Sequence, residues 1–72
     1  MPKLPVVSGE DLISALERLG FERIRQKGSH IVLRRGTQGV VVPAHRELKT
    51  GTLAGILRQA GVTVDALIDP LK

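Results

Sequence analysis

Cysteine is absent from the 72 residues. That removes a disulfide frame, a thiolate nucleophile and the sulfur ligands of a structural zinc site. The two histidines, His30 and His45, are far apart in sequence and form no recognisable metal motif; neither a metal nor another cofactor is expected. Aromatic side chains are nearly missing as well, since Phe21 is the only one. A sheet that stacks RNA bases on rings needs several, each contributing about 1–3 kcal/mol, so that mode is closed to this chain. No run approaches the roughly 18–20 apolar residues of a membrane span. The start, from Met1 to Pro5, lacks the apolar stretch of a signal peptide, and a cytoplasmic protein without membrane association is expected. The length allows a single domain over residues 1–72 and excludes a two-lobed enzyme. There is no Gly-rich phosphate loop of the Walker or dinucleotide type.

What is present is positive charge in one place. The net charge is +4 with His neutral. Residues 21–35 carry Arg23, Arg25, Lys27, Arg34 and Arg35 against Glu22 alone, and acids and bases balance over the rest of the chain. A dense basic patch suits a polyanion, and phosphate contacts dominate nucleic-acid affinity. Without rings to stack bases, such a protein reads the backbone more than the sequence. A solvated basic strand that resists edge aggregation is the plainer alternative.

The apolar pattern gives the architecture. Ser8 is placed to cap a helix over 9–19, with Glu10 and Asp11 in its first turn and Leu12, Ile13, Leu16 and Leu19 on one face. Gly20 followed by Phe21 reads as its left-handed end. From Phe21 the period falls to two: Arg23, Arg25 and Lys27 alternate with Glu22, Ile24 and Gln26. Gly28-Ser29 is a turn, His30–Arg35 a second strand, 36–39 another turn, and Val40–Val42 a third strand stopped by Pro43. A polar connection follows. Thr50 or Thr52 is placed to cap a helix carrying Leu53, Ile56, Leu57 and Ala60, which Gly61 closes. Thr63 caps a short last helix that ends before Asp69-Pro70. The result is an α+β domain of order α-β-β-β-α, a three-stranded antiparallel sheet with two helices on one face and a short C-terminal helix. With Ile31 and Leu33 turned to the helices, the open face displays His30, Val32 and Arg34.

The chemistry gathers at Gly28-Ser29-His30. Glycine permits a sharp turn and the close approach of a ligand, and Ser29 adds a hydroxyl. An imidazole is suited to move a proton near neutral pH. RNA carries its own nucleophile in the 2′-hydroxyl, so a base beside cationic groups suffices for attack on the adjacent phosphorus. Arg25, Lys27, Arg34 and Arg35 are candidate phosphate contacts, and Ser29 is a further candidate RNA contact. A surface histidine in a turn is the competing reading of His30. For His45, in a polar loop, a structural role is the better reading, through hydrogen bonds to backbone or to Glu47.

These segments together resemble the HicA (YcfA-like) family of mRNA interferase toxins from type II toxin–antitoxin pairs. The resemblance rests on Gly28-Ser29-His30 at the start of the second strand, on the run VPAHRELKTGTLAGILRQAG from Val42 to Gly61, and on Ser8-Gly9 leading into a helix that ends at Gly20-Phe21. It implies a fold like the double-stranded RNA-binding domain and endoribonuclease action on mRNA. It also implies His30 as the catalytic residue and a HicB-type antitoxin that binds the toxin and blocks its active site. Ala54 departs from the basic residue that members often carry there, which removes one possible phosphate or antitoxin contact. Two non-enzymatic readings remain beside it: an RNA-binding module of the same fold, and a protein-interaction domain whose basic face meets an acidic partner.

Overall fold

In a computed structural model that describes residues 6–71, the first helix, α1, spans Gly9–Arg18. The Ser8 hydroxyl accepts from the Asp11 amide at 3.0 Å, capping one of the free N–H groups of the first turn. At the other end Leu19 caps the helix and Gly20 lies in the left-handed region at φ +101°. The Gly20 amide donates to Glu17 and the Phe21 amide to Leu16, both at 3.0 Å. That pair of bonds is the Schellman arrangement, and it returns the chain toward the core at Phe21.

Three strands follow, β1 (Glu22–Lys27), β2 (His30–Arg35) and β3 (Gln38–Pro43), in the order β1-β2-β3 and antiparallel throughout. Both turns hold two residues with glycine first, Gly28-Ser29 and Gly36-Thr37, and each glycine sits at φ +60°. A hairpin loop of two residues requires that backbone at its first position, where a Cβ is strained. The third strand is longer than the apolar triplet suggests, because Gln38 pairs with Arg35 and Pro43 with His30.

Helix α2 covers Thr50–Ala60. Neither threonine caps it: Thr50 is already helical, and Lys49 holds the N-cap position with no side-chain bond. Gly61 ends it in the left-handed region as expected, with Val62 donating back to Leu57 at 3.0 Å. Helix α3, Val64–Leu71, starts at Thr63, whose hydroxyl accepts from the Ala66 amide at 3.1 Å. It carries on through Asp69 and Pro70, one turn past the expected stop. A proline so near a helix end forfeits a single backbone bond, a much smaller loss than in the interior.

Helix α2 packs on β3, and α1 touches both β3 and α3. Leu12, Ile13 and Leu16 from α1 meet Ile31, Leu33, Val40 and Val42 from the sheet and Leu53, Leu57 and Leu67 from the later helices. Fully burying an aliphatic side chain contributes about 1.5–3 kcal/mol. All helices thus lie to one side, and the other face of the sheet is bare.

Candidate functional site

The bare face is a grid set by the strand ladder, because directly paired residues share a face. One row is Lys27, His30 and Pro43; the next is Arg25, Val32 and Val41; the last is Glu22, Arg34 and Gly39. Rows lie about 6.6 Å apart, at 3.3 Å per residue along a strand. Lys27 and His30 flank the Gly28-Ser29 turn and face each other directly, with Cα atoms about 4.5–5.5 Å apart. Arg34 stands two rows away, roughly 13 Å along the strand. Lys27 can therefore reach a phosphate held at His30, whereas Arg34 is placed for a neighbouring one.

His30, Arg25, Lys27 and Arg34 are all exposed, and none of the four is paired with another described residue. The charges of Arg25, Lys27 and Arg34 are free to act on a ligand. The turn itself is braced, since the Gln26 amide nitrogen donates to the Gly28 carbonyl at 2.9 Å. Ser29 lies exposed in this turn, and its carbonyl accepts from Ala44 at 2.7 Å, tying the turn to the residue after β3.

Two members of the basic cluster lie elsewhere. A bulge between Arg23 and Arg25 shifts the register, so Arg23 pairs with Leu33 on the helix side and Arg25 with Val32 on the open side. Strict alternation would have set Arg23 opposite Arg34 and Ile24 opposite Leu33. The bulge replaces a like-charge pair by Glu22 opposite Arg34, and leaves Ile24 53% exposed. Arg23 then approaches Glu17 of α1, Nε to Oε2 at 3.6 Å, a half-exposed pair of the kind that contributes at most about 1 kcal/mol. Bulges are common on edge strands, where they also discourage further pairing.

Arg35, expected among the phosphate contacts, is also turned to the helix side and is engaged there. Its guanidinium donates to the Leu19 carbonyl at 2.9 Å and to Gln38 Oε1 at 3.3 Å, and lies 4.6 Å from the centre of the Phe21 ring. The one aromatic residue of the chain holds an arginine rather than a base. Basic residues adjacent in sequence thus point to opposite faces, and the open face keeps three of the five cations.

His45 lies on the exposed connection between β3 and α2. Its backbone carbonyl, not its ring, makes the structural bond, accepting from the Gly9 amide at 2.8 Å. Gly9 is buried, and a Cβ there would overlap the Pro43 carbonyl oxygen. The Leu48 amide donates to the Val7 carbonyl at 2.9 Å. Nothing in the spacing of residues 43–48 announces these bonds; the Ser8-Gly9 dipeptide at the start of α1 is the one local sign. Among the described residues no group of three or more His, Asp or Glu is arranged to hold a metal ion, and no helix is long and apolar enough to cross a membrane.

The arrangement is that of a small α+β domain with one bare sheet face bearing a histidine beside unpaired cations. A family model described as HicA toxin of bacterial toxin-antitoxin matches residues 9–62. The chain belongs to this family of toxins, and such a toxin has an antitoxin as its partner. A search of curated proteins returned no significant match.

Proposed function

We propose that the protein is an endoribonuclease, the toxin of its pair, that cleaves mRNA at the open sheet face. The observation that carries this reading is the direct pairing of exposed His30 with unpaired Lys27 across a glycine turn. His30 takes the proton from a ribose 2′-hydroxyl. The 2′-oxygen attacks the adjacent phosphorus, the bond from phosphorus to the 5′-oxygen breaks, and that oxygen leaves as a hydroxyl, taking its proton from the imidazolium. The products are a 2′,3′-cyclic phosphate and a 5′-hydroxyl end. Lys27 stabilises the charge that grows on the phosphoryl oxygens, and Arg25 and Arg34 hold flanking phosphates. Gly28 and Ser29 shape the turn. The base is a side chain, so the step needs no metal. A HicB-type antitoxin is the expected partner.

The test compares wild-type and His30→Ala chains, expressed and purified side by side. General acid–base catalysis contributes about 10²–10⁴-fold. Cleavage in EDTA is expected to fall by at least about a hundredfold in the variant, with RNA affinity and the thermal midpoint retained. Unchanged cleavage would remove His30 as catalyst. A wild-type chain that binds RNA without cutting it would be a binding module. Cleavage that requires Mg2+ and leaves a 5′-phosphate would refute the cyclic-phosphate route.

A further inference from the structure

A shallow depression of about 270 Å3 lies between the end of β3 and the start of α2, lined by Pro43, His45, Glu47, Leu48, Lys49 and Thr52. It adjoins the grid described above, because Pro43 is both its wall and the cross-strand partner of His30. We propose that this depression holds one nucleoside of the RNA strand, next to the bond at His30, and so selects where the strand is cut. The inference rests on the cleavage reading and deepens it.

Three properties support a nucleoside. Pro43 and buried Leu48 supply apolar surface, while His45, Glu47 and Thr52 supply donors and acceptors at the rim, the mixture that recognises a flat polar heterocycle. Second, Glu47 and Lys49 both line the depression, one acid and one base. Their charges offset, so this lining suits an uncharged base, whereas the grid with its three unpaired cations suits the backbone. The third property is size. Small-molecule sites usually enclose about 300–1,000 Å3, so this one takes a single nucleoside and no longer segment.

The depression is also built in advance. Its loop is pinned at three points, from Gly9 to the His45 carbonyl, from Ala44 to the Ser29 carbonyl and from Leu48 to the Val7 carbonyl, at 2.8, 2.7 and 2.9 Å. A pre-formed site avoids the ordering cost that a free loop incurs on binding. The same bonds hold it in fixed register with the turn before His30. His45 thus gains a ligand-facing role in addition to the backbone tie, its ring having no hydrogen bond to another described residue.

The experiment has two arms. Full-length His30→Ala protein labelled with 15N is titrated with each of the four nucleoside 3′-monophosphates. Amide shifts are expected at His45, Glu47, Leu48, Lys49 and Thr52, and a second substitution, Thr52→Val, is expected to weaken them by roughly tenfold in Kd, the effect of one lost hydrogen bond. Shifts confined to the sheet positions Arg25, Lys27, Val32 and Arg34 would overturn the proposal. In the other arm, cut sites are mapped on a mixed-sequence RNA for wild-type, Glu47→Gln and Thr52→Val chains. A changed distribution of cut sites is expected, and an unchanged one would overturn the role in selection. Loss of the cleavage reading shows separately, as wild-type protein that binds RNA without cutting it.

Discussion

Arg34 and Arg35 are neighbours in sequence and opposites in use. Arg34 is exposed on the open face, while Arg35 is spread over Phe21 and bonded to the end of α1. Replacing Arg35 by Ala is therefore expected to destabilise the fold by about 1–3 kcal/mol, from a charged hydrogen bond and a cation–ring contact, read by urea denaturation. RNA affinity of the folded fraction should stay as it was. Lys27→Ala reverses the pattern, with the midpoint in urea unmoved and RNA binding weakened, measured by fluorescence anisotropy. The sequence shows that both residues are basic and that strands alternate. It does not show that the helix-side position at the end of β2 lies over an aromatic ring and an unused carbonyl, since that contact joins residues far apart in the chain.

At the scale of elements, what could be read in advance was local. Ser8 as a cap, Gly20 and Gly61 as helix ends and the Gly28-Ser29 turn each depend on a few consecutive residues, and each stands as expected, whereas the second turn is tighter than 36–39 because Gln38 and Gly39 join β3. The first strand is different. Its alternation is plain in sequence, but the bulge breaks it, and whether a residue is inserted into a ladder depends on the facing strand and on which charges meet there. Ile24 makes the distinction measurable. If alternation held, it would lie opposite Leu33 in the core; bulged, it is largely in water. Ile24→Thr is expected to change stability by no more than about 0.5 kcal/mol, as at other surface sites. Ile31→Ala, at a position 2% exposed, should cost about 2–5 kcal/mol. Thermal or urea unfolding of the two variants checks both figures. The N-terminus of α2 departs from expectation for a related reason: two threonines offer a cap, and the geometry of the incoming loop gives the position to Lys49.

For the whole molecule, net charge overstates the binding surface. Five basic residues cluster in sequence, yet the fold sends Arg23 and Arg35 to the helix side, leaving Arg25, Lys27 and Arg34 together. Single-stranded nucleic acids give a slope of about −0.7 per phosphate contact in log K against log salt. Binding through the open face predicts a slope near about −2, against about −3.5 if all five took part. Affinity of His30→Ala protein for a short single-stranded RNA, measured over a range of KCl concentrations, separates the two. Arg34→Ala should make the slope shallower by about 0.7, and Arg23→Ala should leave it unchanged. A slope near zero would point to an acidic protein, not RNA, as the natural occupant of that face.

The tie between Val7 and Leu48, together with that from Gly9 to His45, makes the amino end a remote tether for the loop beside the proposed cleavage site. Trimming the chain to begin at Ser8 leaves every proposed contact residue in place and deletes the carbonyl that anchors the connecting loop. Such a shortened protein should keep its helical circular-dichroism signature and cut RNA more slowly, with looser choice of bond. A proteolytic clip or a bulky fusion at that end would then act as a dimmer on the toxin without touching its chemistry.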